Sequence, residues 1–312
     1  MIFEGYRIVR EIHANSRSHI YLAVDPATDL AIAIKIPSID QRDDRNYLRR
    51  FMMEEWIARR IDSPHVLKAA PPTRDRRQLY LATEFIEGQT LAQWMIDNPC
   101  PDLETVRGIV EQITKGLSAF HRKEMLHQDL RPDNIMIDRT GTVKIIDFGS
   151  VRVSGVIEAE PATDHDSILG TQQYTAPEYF LGQGGSDLSD QFSLGVITYQ
   201  MLTGRLPYGA QVARARTPAQ FRKLRYARAS GDDRGIPVWI DGALRRAVHP
   251  AASKRYESLS EFVFDLRHPN PAYTSSSPTP LIERHPLLFW KTSTALLAVV
   301  VLILLAARQA GW

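Results

Sequence analysis

The chain has 312 residues, a formal net charge of +2 and one cysteine, Cys100. A single cysteine excludes an intramolecular disulfide and a cysteine-based zinc site, and so small a net charge gives no case for nucleic acid as a partner. With 44% hydrophobic and 24% charged residues, the composition is that of a globular protein able to bury a large core.

Residues 1–10 carry no basic stretch followed by an apolar run, so no secretory signal is expected. The next segments are β-rich. Residues 6–12 (YRIVREI), 19–25 (HIYLAVD) and 30–36 (LAIAIKI) are alternating or β-branched runs, and the turn residues 25–29 join the last two as a hairpin. A helix is predicted over 45–61, and shorter strands over 66–67 and 79–83. After Thr90 the pattern is mostly helical, so two lobes of unlike class are expected.

Two motifs lie within the helical part. His127-Gln128-Asp129-Leu130-Arg131-Pro132-Asp133-Asn134 is followed, thirteen residues after Asn134, by Asp147-Phe148-Gly149, which a strand over 143–146 precedes. Together they resemble the catalytic loop, H-R-D-x-K-x-x-N, and the metal-binding D-F-G of eukaryotic-like protein kinases. Phosphoryl transfer needs positioned charge more than covalent chemistry, and magnesium takes hard oxygen ligands. The resemblance implies ATP and Mg2+ as cofactors, with Asn134 and Asp147 holding the metal. Asp129 would orient the substrate hydroxyl and accept its proton, and Arg131 would lie near the transferring phosphate. The fold it implies is α+β and bilobal: a small β-rich N-lobe over 1–86 and a larger helical C-lobe over 87–268.

Other segments match the same family. Ala31-Ile32-Ala33-Ile34-Lys35 resembles its V-A-I-K strand, which would aim Lys35 at the α- and β-phosphates. A glutamate on the following helix should hold that lysine. Glu54 shares an apolar stripe with Ile57, Ala58 and Ile61 at i, i+3, i+4 and i+7, whereas Glu55 shares its face with Arg59 and Asp62. A Lys35–Glu54 pair is therefore expected, with Glu55 facing water and kept as the lesser candidate for the pair. Residues 83–88 (TEFIEG) resemble the lobe connector, whose backbone at Glu84 and Ile86 would meet adenine, with Thr83 at the back of the pocket. Ile12, Asn15, Ser18 and Ile20 would line the phosphate loop. Residues 170–178 resemble the end of an activation segment with A-P-E intact. There Thr171 would touch the catalytic aspartate, Asp190 would hold the catalytic-loop backbone, and Arg255 would pair with Glu178 in a structural role.

The match is imperfect in the phosphate loop. The three positions of the family's glycine-rich loop are His13, Asn15 and Ser18 here, so weaker or slower nucleotide handling is expected. Gln128 replaces the arginine that binds a phosphate on the activation segment, so activity should not depend on phosphorylation there. Arg131 replaces the usual lysine with charge retained. Serine/threonine kinase activity toward protein substrates is the leading reading. A pseudokinase that binds nucleotide or partners is the alternative from another class, supported by the eroded glycines. A small-molecule phosphotransferase is a third, weaker for want of an A-P-E segment in such enzymes.

The C-terminal part differs in kind. Residues 269–286 are Pro- and Ser-rich and read as a linker, and residues 287–307 form an apolar run of 21, about 31 Å as a helix. Lys291 near its start can snorkel, and Trp290 suits a headgroup layer. One C-terminal transmembrane helix is expected, with the kinase domain on the cytoplasmic side of the inner membrane. This anchor and several segments resemble the kinase half of bacterial bifunctional phosphatase–kinase proteins, making a metal-dependent serine/threonine phosphatase a partner by resemblance. Finally, residues 212–228 carry Arg214, Arg216, Arg222, Lys223, Arg225 and Arg228. They could dock an acidic substrate or lipid headgroups, or simply form a solvated helix face.

Overall fold

The computed structural model describes residues 1–71, 76–153, 171–230 and 234–274, with 290, 291 and 294. The chain divides into two compact units, Met1–His268 and Pro269–Trp312. The first carries both lobes.

The N-lobe is a five-stranded antiparallel sheet in sequence order: β1 (Ile2–Phe3), β2 (Tyr6–Ala14), β3 (Ser18–Asp25), β4 (Leu30–Pro37) and β5 (Leu81–Glu84). Alternation along each strand puts successive side chains on opposite faces. One face buries Tyr6, Ala23, Ile32, Ile34, Tyr80 and Ala82 as a small core. Helix α1 (Arg45–Arg60) follows β4 and packs against β5. Its N-cap, Asp44, accepts from the backbone N–H groups of Asn46 and Tyr47, which satisfies two donors of the first turn.

The C-lobe begins with β6 (Gly88–Thr90), α2 (Leu91–Asp97), α3 (Leu103–His121) and β7 (Met125–Leu126). Then come β8 (Ile135–Asp138), β9 (Val143–Ile145) and β10 (Arg152–Val153). Strands β6, β8 and β9 form a small sheet, and β10 pairs with β7. The remaining helices are α4 (Pro177–Phe180), α5 (Asp187–Thr203), α6 (Gln211–Arg214), α7 (Pro218–Arg222), α8 (Val238–Ala247) and α9 (Leu259–Arg267). Helix α3 buries Val106, Ile109, Val110, Ile113, Leu117 and Phe120 on one stripe against α5, α9 and β9. Helix α5 is buried along nearly its whole length and packs on α8. A Cβ on its Gly195 would stand 2.9 Å from a Val248 methyl, so the close approach of the two helices requires glycine.

Three expectations need correction. Residues 66–67 form no strand: Val66 makes an isolated bridge to Ile145, and the Leu67 N–H donates to the Ile145 carbonyl at 2.9 Å. The last strand of the main sheet starts at Leu81 rather than at 79, since its pairing with β4 ends at Lys35 opposite Leu81. Glu55 does not simply face water: Arg59 and Arg76 both donate to it, and its side chain is 18% exposed. Among the described residues no helix is long and apolar enough to cross a membrane. The apolar run 287–307 falls outside them except at 290, 291 and 294, as does most of the linker.

Candidate active site

The second face of the N-lobe sheet looks toward the C-lobe strands. Cross-strand partners share a face, so register extends the face from Lys35 to its neighbours. Lys35 pairs with Ile20 and Leu81, and Ala33 with Leu22 and Thr83. Ile20, Leu22, Ala33, Lys35, Leu81 and Thr83 therefore form one apolar surface with a single cation at its edge. Leu22, Ala33 and Leu81 were not singled out from the sequence, although period-two alternation from Lys35 would have found them.

Lys35 Nζ donates to both Glu54 oxygens, at 2.9 and 2.7 Å, and stands 4.0 Å from Asp147 Oδ1. Burial alone would lower the ammonium's pKa, but Asp147 and Glu54 outweigh it and raise it, so Lys35 stays charged. Two carboxylates share this one cation. Glu54 takes the two close hydrogen bonds, while the nearby Lys35 charge holds the Asp147 carboxyl below the usual range. Burial pushes Glu54 up instead, opposed by Lys35. The fit at Gly149 is close: a Cβ there would come within 2.9 Å of Glu54 Oε1.

Asp129 and Asn134 lie across from this pair on the catalytic loop. Asn134 Nδ2 donates to the Asp129 carbonyl at 2.9 Å and to Asp129 Oδ2 at 3.1 Å. Burial, reinforced by Asp147, pushes the Asp129 carboxyl up to about 6. The Ile146 N–H donates to the Asn134 carbonyl at 2.8 Å, which ties the loop to the strand leading into Asp147. Asp190 reaches from α5 and accepts the backbone N–H groups of His127 and Gln128, both at 3.0 Å, and His121 Nε2 lies 2.9 Å from it. The backbone is unusual at two points, with Gln128 at φ 65° and Asp147 at φ 66°. These left-handed conformations are rare for such residues and turn both peptide planes at the site.

Other expected residues have definite places. Arg131 donates through Nε to Asp133 Oδ2 at 2.9 Å, and its charge acts on both Asp129 and Asp147. The Glu84 side chain accepts from Lys144 Nζ at 2.7 and 2.6 Å and from the Lys68 N–H at 2.9 Å. Its carboxylate is thus engaged and its N–H donates to the Lys68 carbonyl at 3.0 Å, which leaves its backbone carbonyl for an adenine. Ile86 is buried and its backbone N–H makes no hydrogen bond among the described residues. Glu178 and Arg255 form a doubly hydrogen-bonded buried pair at 2.7 and 2.8 Å. Thr171 opens a 3-10 turn, but its side chain lies outside the described residues.

The phosphate loop has a feature that sequence did not disclose. Asn15 Oδ1 accepts the backbone N–H groups of Arg17 at 2.9 Å and Ser18 at 2.8 Å. The Arg17 carbonyl accepts from Tyr47 Oη at 2.9 Å and the Ser38 N–H at 2.8 Å, while Ser38 Oγ donates to the Ser16 carbonyl at 2.7 Å. A glycine-rich loop offers free N–H groups to phosphate. Here two such donors already have an acceptor. Asn15→Gly is expected to free them and tighten Mg·ATP binding by roughly fivefold, read by nucleotide titration. Unchanged or weaker binding would show that the cap is irrelevant to nucleotide.

The oxygen-rich set fits magnesium. Because Asn134 spends its amide on Asp129, its Oδ1 is left as a ligand atom, and the Asp147 side chain is 47% exposed toward the cleft. Mg2+ completes its shell with phosphate and water oxygens, so two protein ligands suffice.

A bilobal cleft with a lysine–glutamate pair, a metal-ligand pair and a partly buried aspartate defines a nucleotide-dependent phosphotransferase site. The chain belongs to the protein kinase family: the family profile described as "Protein kinase domain" matches residues 6–272, and this family uses ATP and Mg2+. Serine/threonine-protein kinase PrkC of Bacillus subtilis is 27% identical over 270 residues, which cover 84% of this chain and 40% of PrkC. PknA of Corynebacterium glutamicum is 32% identical over 213 residues, covering 67% of this chain and 45% of PknA. The crystal structure of the Mycobacterium tuberculosis PknI kinase domain superposes with a TM-score of 0.63 at 25% identity, covering 86% of this chain and 97% of that domain. The chain spans less than half the length of PrkC and of PknA.

Proposed function

We propose that this chain is a serine/threonine protein kinase that transfers the γ-phosphoryl group of ATP to protein hydroxyls. The observation that carries the reading is the convergence of Lys35, Glu54 and Asp147 opposite the hydrogen-bonded Asp129–Asn134 pair. Bound Mg2+ would neutralise charge on the β- and γ-phosphates. Lys35, fixed by Glu54, orients the α- and β-phosphates. Asn134 Oδ1 and Asp147 would hold the metal. Asp129 receives the hydroxyl proton and aligns the attacking oxygen.

The test is incubation of the detergent-solubilised chain with Mg2+ and γ-labelled ATP. Label on serine or threonine, of the chain or of a generic protein substrate, is the expected result. Nucleotide binding with no transfer above an Asp147→Asn control would instead favour the pseudokinase reading, which the capped phosphate loop supports.

Residues 287–307 support a membrane-tethered form of the enzyme, with the catalytic unit on the ATP-containing, cytoplasmic side. The narrower resemblance supports a metal-dependent phosphatase as its antagonist. Gln128 cannot clamp a phosphate as a guanidinium does, so full activity without activation-segment phosphorylation is part of the reading. Ser167, which lies outside the described residues, supplies the check. Ser167→Ala should keep the wild-type rate of substrate phosphorylation. Loss of activity in Ser167→Ala, with recovery in Ser167→Asp, would contradict it.

A further inference from the structure

From residue 191 to 231 the chain contains seven basic residues and no acidic one. Six of them, Arg214, Arg216, Arg222, Lys223, Arg225 and Arg228, are exposed and make no ion pair among the described residues. Elsewhere on the chain exposed bases are commonly matched, as Arg59 with Glu55, Lys68 with Asp62 and Arg267 with Glu111. Concentrating unmatched like charge on one surface is unfavourable unless something of opposite sign meets it.

The elements that carry this charge are fixed to the end of the activation segment. Val212, Ala215 and Phe221 are buried in the same apolar cluster as Ala176, with Tyr174, Tyr179 and Phe180 packed against it. Phe221 stacks on Phe180 at 6.1 Å between ring centroids. Arg216 lies over the Phe180 ring at 5.0 Å and donates to the Ala213 and Ala215 carbonyls at 2.6 and 2.8 Å. Its second nitrogen reaches Gln172 Oε1 at 3.4 Å. Apolar residues of α6 and α7 are thus buried while the six bases are exposed, and Arg216 carries this positive rim to Gln172 and Phe180.

We infer that this rim is the docking surface for an acidic segment of the protein substrate, flanking the serine or threonine to be phosphorylated. The inference rests on the kinase reading above and names its substrate class. Contact with Gln172 and Phe180 favours a substrate over a lipid surface, because it places the charge beside Thr171, which the resemblance sets against Asp129, the residue that would meet the substrate hydroxyl.

The test uses the full chain in detergent and two labelled peptides with the same central Thr, one flanked by four glutamates and one by glutamines. Fluorescence anisotropy reads binding, and initial rates read transfer. The glutamate peptide should bind about tenfold more tightly, with the gap closing at high salt. The variant Arg222→Gln/Lys223→Gln/Arg225→Gln should lose that preference, seen as a rise in KM for the acidic peptide alone. Equal affinity for both peptides in the wild-type chain overturns the inference, even if both are phosphorylated. So does a variant that keeps the preference but no longer binds phosphatidylserine vesicles, which would make the rim a lipid surface. Preferential binding without transfer to either peptide would support the docking surface and count against the kinase reading.

Discussion

Asp129→Asn is expected to slow phosphoryl transfer by about 10²–10⁴-fold while leaving Mg·ATP affinity within a few-fold of wild type. Asparagine keeps the shape and can still face Asn134, but it cannot accept the hydroxyl proton. Lys35, Asn134 and Asp147, which would hold the nucleotide and its metal in the proposed mechanism, are untouched. The pH profile follows from the same group. Asp129 works as the carboxylate, and burial together with Asp147 pushes its pKa up to about 6. The transfer rate should therefore rise with pH through an acidic midpoint. Magnesium on Asp147 would remove that residue's contribution, so the midpoint in the working enzyme lies at or below the metal-free value. In the asparagine variant the residual rate should lose this limb. Initial rates from acidic to neutral pH, with nucleotide titrations on both proteins, check the two statements together. A variant with the wild-type rate would remove Asp129 from the chemistry.

Arg255→Met is expected to destabilise the catalytic unit by about 3–5 kcal/mol, because it strands a buried carboxylate. Glu178 and Arg255 are only 8% and 3% exposed, and the guanidinium also donates to the His249, Leu188 and Pro250 carbonyls. Removing it takes a hydrogen-bond donor from each of those carbonyls as well. Glu178→Gln added to Arg255→Met should recover part of the loss, since a neutral amide is cheaper to bury than a lone charge. The sign with pH is fixed by the carboxylate. Burial alone would raise the Glu178 pKa, but Arg255 and Ser189 outweigh it and hold it below the ordinary value. The pair's contribution is thus full above the ordinary carboxylate pKa and is lost as pH falls through the lowered folded value. Chemical denaturation of the single and double variants at neutral and acidic pH measures this. A loss in Arg255→Met that the second substitution does not relieve would contradict the charge argument.

Local spacing made the catalytic elements readable. Asp129, Asn134 and Asp147 occupy one short loop and the strand-end after it, so sequence order already fixes their neighbourhood. Glu54 was separable from Glu55 because helical periodicity places only Glu54 on the buried stripe with Ile57 and Ala58. Contacts spanning long separations were legible only where the family resemblance named them, as for Arg255 with Glu178 and Asp190 with the loop backbone, and the rest were not. Arg76 reaches Glu55 across 21 positions, Tyr47 holds the Arg17 carbonyl, and Lys144 draws the Glu84 carboxylate away from the nucleotide side. Each depends on how two elements pack, which no periodicity encodes. The positive φ at Gln128 and Asp147 was equally hidden, since neither residue type demands it. Asn15 shows the reverse case. Its suitability for a turn could be read from residue type, but not that its side chain would take up the two N–H groups that phosphate would use.

The central claim concerns where a magnesium–nucleotide sits, and a crystal structure of the chain with Mg2+ and a non-hydrolysable ATP analogue tests it most directly. The expected map shows the metal at about 2.1 Å from oxygens of Asn134 and Asp147. Lys35 would contact the α- and β-phosphates while still held by Glu54, and the terminal phosphate would face Asp129. Nucleotide bound elsewhere, or metal coordinated without Asp147, would contradict the account.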